Sequence, residues 1–326
     1  MVNANNLLAV SNLKTYFAIK KGLLRRTVGY VKAVDGISFG IEKGQTLGLV
    51  GESGCGKTTV ARSIIRLVPA TAGQVIFEQT NVLSADRKRL GKLRRDISLI
   101  FQDPFGSLNP RMTVGNIVGE PLKVQKGLAG SELTEKVAAL LSKVGLSPDH
   151  INSYPHEFSG GQRQRIGVAR ALVLEPKLVI CDEPVSALDV SIQSQILNLL
   201  KDLQEDFGLT YLFIAHDLAV VEFFCDVVAV MYMGRIVELA AAEELYENPL
   251  HPYTRILMSA IPRVEPTLRG QRIPSAGEVP SALNPPSGCA FAQRCPLVEQ
   301  VCLKQMPILE EKGGYKEHFV ACWKCQ

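Results

Sequence analysis

Two hydrophobic rhythms alternate along this chain. Short β-branched runs predict strands at 7–17, 33–41, 46–50, 74–77, 97–101, 178–181 and 211–215, and apolar residues recurring every three or four positions predict helices at 57–67, 132–144, 161–174 and 190–206. In the last helix Ile192, Ile196, Leu199 and Leu203 fall on one face, and Asp189 stands where an N-cap belongs. The run from Lys177 to Asp182 is apolar until its acidic end, which suits a parallel strand covered on both faces. Residues 226–239 read as two strands turning at Gly234. Strands interleaved with helices in this way predict an α/β fold with a mainly parallel sheet.

The rhythm breaks near residue 248. Prolines then stand at 249, 252, 262, 266, 274, 280, 285 and 286, so the chain divides into a main domain, 1–248, and a small tail, 249–326. With 326 residues, 46% of them hydrophobic, there is ample material for a packed core. A net charge of +4 implies no strong field for polyanions, and no nucleic-acid partner is expected. The basic runs 87–95 and 20–26 read as solvated faces. No apolar run reaches the roughly 18 residues that a membrane span needs, and the opening residues lack a secretory pattern, so a cytosolic protein is expected.

Chemistry concentrates first at Gly51-Glu-Ser-Gly-Cys-Gly56-Lys57-Thr58, which follows an apolar strand and opens a helix. Gly51, Ser53, Gly54, Cys55 and Gly56 form a loop whose N–H groups can converge on phosphate oxygens, helped by the helix N-terminus. Lys57 is placed to reach the β- and γ-phosphates and Thr58, with Thr59 beside it, to offer a hydroxyl to Mg²⁺. A second element, Leu178-Val-Ile-Cys-Asp182-Glu183, ends an apolar strand in two acids. Asp182 suits the Mg²⁺ shell, and Glu183 suits the polarising of an attacking water.

The segment Ser159-Gly160-Gly161-Gln162-Arg163 resembles the signature of ABC ATPases, with Phe158 where Leu is more frequent. The resemblance implies a P-loop core with a RecA-like sheet, an antiparallel β subdomain and a helical subdomain at about 104–175. It implies head-to-tail pairing of two ATPase domains, each signature capping the partner's ATP. Other positions agree with it. Gln102 resembles the glutamine that meets Mg²⁺ and the attacking water. Ser186, Ala187, Leu188 and Asp189 resemble the D-loop at the dimer interface. His216 resembles the switch histidine at the γ-phosphate, and Phe17 the aromatic that stacks on adenine, with Tyr16 the alternative.

Three longer stretches, 102–115, 154–165 and 248–254, are similar to ATPases of oligopeptide and dipeptide permeases, the F-type subunit in particular. That likeness implies a peripheral ATPase on the cytoplasmic face of the membrane. Its expected partners are a second, D-type ATPase, two transmembrane permease subunits and, indirectly, an extracytoplasmic binding protein. The alternatives weighed are a soluble ABC ATPase of DNA repair or translation, and an importer subunit for nickel chelates, glutathione or oligosaccharides. Neither long coiled-coil insertions nor a second ATPase domain, which such soluble ATPases generally carry, occurs here.

Of eight cysteines, Cys55, Cys181 and Cys225 are scattered, whereas Cys289, Cys295, Cys302, Cys322 and Cys325 crowd the tail. A reducing compartment argues against disulfides. Zinc accepts four thiolates but prefers paired spacing, shown only by Cys322-Trp-Lys-Cys325; wide spacing suits an iron–sulfur cluster at least as well. The permease resemblance points to a [4Fe–4S] cluster on Cys289, Cys295, Cys302 and Cys322, with Cys325 the alternative fourth ligand, zinc the alternative metal, and unligated thiols also open.

Overall fold

The computed structural model describes residues 5–22, 26–186, 188–261, 283, 286–312 and 317–325. In chain order its strands are β1 (Asn6–Lys21), β2 (Arg26–Glu42), β3 (Thr46–Val50), β4 (Ala72–Phe77), β5 (Thr80–Asn81), β6 (Ile97–Ile100), β7 (Leu178–Asp182), β8 (Thr210–Ala215), β9 (Val227–Tyr232), β10 (Arg235–Ala241), β11 (Glu310–Glu311) and β12 (Phe319–Val320). Its α-helices are α1 (Lys57–Ile64), α2 (Arg87–Asp96), α3 (Pro104–Ser107), α4 (Val114–Lys126), α5 (Gly130–Lys143), α6 (Gly160–Leu172), α7 (Val190–Phe207), α8 (Leu218–Phe224), α9 (Ala242–Glu247), α10 (Pro252–Ser259) and α11 (Gln300–Lys304).

The chain forms two compact units. One joins Met1–Ser84 to Ala215–Gln326, and the other is Ala85–Ile214. In the first, β1 and β2 form a long antiparallel ribbon, with β4 on the other side of β1 and β5 beyond it. In the same unit β3 runs parallel to β9, pairing Leu47 with Val227 and Val50 with Val230. Strand β9 turns back into β10, and β12 then pairs with β10, so the tail is hydrogen-bonded into this unit. Every residue of β3 is buried, as expected of a parallel strand with both faces covered.

In the second unit β6, β7 and β8 are parallel, in register from Ile97 opposite Leu178 and from Leu178 opposite Thr210. All of β7 and all of β8 are buried. Helices α3 to α6 follow or precede these strands and pack on one another, with α4 against α5 and α6. Helix α2 carries the basic run 87–95 and buries Leu93 alone among its residues, so the charges lie on a solvated face. Its N-cap Asp86 accepts from the Arg89 N–H at 2.7 Å. Helix α7 does bury Ile196, Leu199 and Leu203, but Asp189 occupies its N-cap position without a side-chain capping bond.

Candidate nucleotide site

The phosphate loop takes its shape from three glycines. Gly51, Gly54 and Gly56 have φ of 150°, 80° and 112°, values that side-chain-bearing residues rarely adopt. Close approach adds a second constraint. A Cβ on Gly51 would stand 2.1 Å from the Met231 carbonyl oxygen, and one on Gly56 would stand 2.1 Å from that of Ala33. The loop is thus wedged between the end of β9 and β2.

Lys57 is 4% exposed, and its Nζ donates to the carbonyls of Gly51 at 2.7 Å and Glu52 at 3.1 Å. Those partners carry no formal charge, so the ammonium keeps its positive field for an anion over the loop. Ser53 and Gly54 are exposed and Thr58 is half-buried. Cys55 is buried beside Lys57, and burial pushes its thiol above the ordinary range.

The two aromatic candidates of β1 separate. Tyr16 gives its hydroxyl to Asp35, whose carboxylate also pairs with Arg235. Burial, then that hydrogen bond, raises the phenol to about 12. Phe17 faces the other way and is 43% exposed. Of the two aromatics Phe17 is the more exposed.

In the second unit the structure brings together two residues picked out for hydrolysis. Gln102 Nε2 donates to Glu183 Oε2 at 2.9 Å. Asp182, 2% exposed, closes β7, and Glu183 follows at φ 48°, in the left-handed region that costs a non-glycine residue about 1–3 kcal/mol. The Glu183 N–H is held by the Ile214 carbonyl at 3.0 Å. No local sequence pattern signals this backbone conformation beside Asp182. His216 follows β8 and is exposed.

The signature segment is a helix start. Ser159 Oγ accepts from the Gln162 N–H at 3.4 Å, and Gln162 Oε1 accepts from the Ser159 N–H at 3.0 Å, closing a capping box ahead of α6. Gly161 must lack a side chain, since a Cβ would stand 2.6 Å from Ile192 of α7. Phe158 is buried and meets His150 edge-on at 5.0 Å, so its ring fills core where the commoner Leu would sit. Ser186 Oγ donates to the Glu183 carbonyl at 3.1 Å, and Leu188 and Asp189 are described with it. Ala187 lies outside the described residues.

Two residues that touch the phosphate loop, Tyr253 and Arg294, and a third behind them, Tyr232, carry no motif in the sequence. The Glu52 N–H donates to Tyr253 Oη at 2.9 Å. Both oxygens of the Glu52 carboxylate accept from Arg294, at 2.8 and 2.9 Å. Tyr232, at the end of β9, packs on Tyr253 and on Phe291. Within 248–254, Tyr253 is the residue whose side chain reaches the loop.

Among the described residues no cysteine is in a disulfide, and no group of three or more His, Cys, Asp or Glu side chains is arranged to hold a metal ion. The expected iron–sulfur or zinc site therefore finds no support in the arrangement of the tail. The thiols are nonetheless neighbours. Burial raises Cys289 to about 11, and the charges of Cys302, Cys322 and Cys295 add to the rise. Burial likewise raises Cys295, with Cys322 and Cys302 contributing. Cys325 lies against Cys322, its N–H donating to the Cys322 carbonyl at 3.1 Å, and its thiol also approaches the Leu250 carbonyl at 3.2 Å.

A glycine-shaped loop over a buried lysine, a strand ending in a metal-type aspartate and a strained glutamate, and a Ser-Gly-Gly helix start together define a P-loop ATPase of the ABC class. Residues 34–186 match the ABC transporter family model, and residues 237–302 match the model of the oligopeptide/dipeptide transporter C-terminal region. The chain is 52% identical over 323 residues to the oligopeptide transport ATP-binding protein AppF of Bacillus subtilis, covering 98% of each. It is 53% identical to OppF of Escherichia coli, covering 98% of this chain and 96% of that one. Among solved structures it resembles cbiO1 of Clostridium perfringens, part of the ABC transporter complex cbiONQ, at TM-score 0.64 and 29% identity over 75% of this chain and 92% of that one. It also resembles the dimeric cassette MJ0796 in a post-hydrolysis state bound to ADP and Pi, at TM-score 0.64 and 28% identity over 72% and 98%. The chain belongs to the family of ABC transporter ATP-binding proteins of the oligopeptide/dipeptide type.

Proposed function

We propose that this chain is the F-type ATP-hydrolysing subunit that powers import of oligopeptides or dipeptides. In this reading it works at the cytoplasmic face of the membrane, beside a D-type ATPase and on two permease subunits fed by a binding protein. The observation that carries the reading is end-to-end likeness to two oligopeptide transport ATP-binding proteins, tail included.

The residues take roles that follow from their chemistry. Phe17 stacks on the base, the 51–56 loop and Lys57 hold the phosphates, and Ser159 with the N–H groups of Gly160, Gly161 and Gln162 offers an anion site to the ATP of the partner ATPase. Thr58, Asp182 and Gln102 are hard oxygen donors of the kind Mg²⁺ takes, and the ion supplies neutralisation of phosphate charge. Glu183 accepts a hydrogen bond from the attacking water and aligns it in line with the γ-phosphate. Gln102, already bonded to Glu183, sets that carboxylate's direction, and His216 steadies the γ-phosphate. Ser186, Ala187, Leu188 and Asp189 lie at the dimer interface.

Glu183→Gln in the assembled transporter tests this. Phosphate release is expected to fall by a factor of about 100 or more while ATP still binds. Near-normal turnover removes Glu183 from the role. Counting the subunits that co-purify tests the pairing; two copies of this chain with no other ATPase would refute it. Uptake of labelled peptides against nickel chelates identifies the cargo.

The tail metal is the finer part of the same reading. A [4Fe–4S] cluster on Cys289, Cys295, Cys302 and Cys322, with zinc as the alternative, rests on the chemistry of four thiolates, donors that either takes. Among the described residues these thiols are not arranged as a metal-holding group, and no catalytic step is assigned to a metal there. Iron, sulfide and zinc analysis after anaerobic purification decides, and absence of all three refutes both.

A further inference from the structure

An acidic side chain inside a phosphate cradle needs explaining. Glu52 is the second residue of the loop, immediately after Gly51, and its charge has the wrong sign for a triphosphate. The structure shows how the charge is handled. Arg294, from the turn between Cys289 and Cys295, is 7% exposed and meets the Glu52 carboxylate with both terminal nitrogens, at 2.8 and 2.9 Å. This two-pronged geometry is the strong, directional form of the arginine–carboxylate pair. The arginine is itself fixed. Its guanidinium lies over the rings of Tyr232 and Phe291, at 5.7 and 5.8 Å from their centroids, and its Nη1 donates to Tyr232 Oη at 3.4 Å.

Glu52 is gripped elsewhere too. Its N–H donates to Tyr253 Oη, and its carbonyl accepts from the Cys55 N–H at 3.2 Å and from Lys57 Nζ at 3.1 Å. Among the described residues, the Arg294 contact is the one that involves the side-chain charge. Lys57, the cation meant for the phosphates, leans on the carbonyl of the same residue. An unneutralised carboxylate there would compete for Lys57 and repel the ligand.

We propose that Arg294 is a positioning residue of the nucleotide site: it neutralises Glu52 and pins it away from the phosphates, so that the cysteine-bearing tail is required for full ATP affinity. The inference rests on the nucleotide reading above. It separates two roles a tail arginine can have. A merely structural arginine would be missed for its packing, and removing Glu52's charge would not compensate. A neutralising arginine would be missed for its charge, and removing Glu52's charge would.

The experiment measures ATP dissociation constants of the full-length protein in hydrolysis-blocking conditions, with melting of each variant followed alongside. Arg294→Ala is expected to weaken ATP binding roughly tenfold, the scale of one uncompensated charge close to the phosphates. Arg294→Lys should recover most of the loss. The pair Arg294→Ala with Glu52→Gln should return to within about threefold of wild type. If Arg294→Ala does not fold, Arg294→Met keeps the stem between the two rings and serves in its place. An unchanged dissociation constant in the single variant overturns the proposal, and so does a double variant as weak as the single. A wild-type protein that fails to bind ATP overturns the nucleotide reading itself, and the inference with it.

Discussion

The phosphate loop and the cysteine tail meet in the Glu52–Arg294 ion pair and the Glu52–Tyr253 hydrogen bond, yet they owe their form to different ranges of sequence. In the loop the essential information is local. Eight consecutive residues place the glycines, the lysine and the hydroxyl, and the contacts that wedge Gly51 and Gly56 are with backbone carbonyls, which any sequence supplies. In the tail the essential contacts are far apart in the chain. Arg294 finds Glu52, Cys325 finds Leu250, and Phe319 pairs with Leu239. Local chemistry survives as a motif; long-range packing leaves no spacing to read.

The largest effect is expected where the loop is tightest. Gly56→Ala places a methyl 2.1 Å from the Ala33 oxygen at φ 112°, so the loop must move. ATPase activity should drop by a factor of about 100 or more, because a displacement near 1 Å suffices for that, while melting changes far less. A variant with normal turnover would show that the loop is not held as tightly as these contacts indicate.

The tail should answer in stability first. Phe291 is 1% exposed and packs edge-on against Tyr232 at 5.2 Å, with Tyr253 at 5.4 Å. Phe291→Ala should cost about 4 kcal/mol, the usual toll for an aromatic lost from a core. Chemical denaturation measures it. A cost below about 1 kcal/mol would mean that the tail is not part of the core of its unit.

The same joint should respond to acid. His251 is buried, accepts at Nδ1 from the Tyr253 N–H at 3.0 Å, and so caps α10 in its neutral form. Burial lowers its pKa from 6.5 to about 4, with Glu238 pulling weakly the other way. The unfolded chain therefore binds a proton between pH 6.5 and 4 that the folded chain refuses. The stabilisation is complete above pH 6.5 and is lost as pH falls toward 4, by about 3 kcal/mol in all. His251→Asn keeps a neutral capping acceptor. Its stability should lose that part of the pH dependence. Parallel pH curves for the two proteins would contradict the assignment.

Particular residues show what could be read and what could not. The strands at 46–50, 178–182 and 210–215 were legible because burial on both faces forces an apolar run. The loop, Asp182, Glu183 and the signature stand out in the sequence because phosphate chemistry calls for such residues at fixed spacing. The helix 114–126 was not, since Pro121 inside it and glycines within it blur the period. The hydrogen bond from Gln102 to Glu183 and the strained φ of Glu183 depend on how β6, β7 and β8 align, which a single sequence does not encode in any local pattern. The choice between Tyr16 and Phe17 turned on Asp35 and Arg235, one of them more than two hundred residues away.

The smallest effect separates the two cysteines that spacing left equivalent. Cys322 is buried, and its charge is felt at both Cys289 and Cys295. A hydrogen bond from the Cys325 thiol draws its pKa down and raises that of Cys325 in turn. Cys325 also faces the Leu250 carbonyl, on the side of α10. On these contacts Cys325 is expected to brace the 248–252 segment rather than to join Cys289, Cys295, Cys302 and Cys322. Cys325→Ser preserves a donor and should change stability by about 1 kcal/mol or less, with metal content unaltered. Cys322→Ser removes a member of the set, and any bound iron or zinc should fall with it. Equal loss of metal in both variants would place Cys325 among the ligands, and loss in Cys325→Ser alone would exchange the two roles.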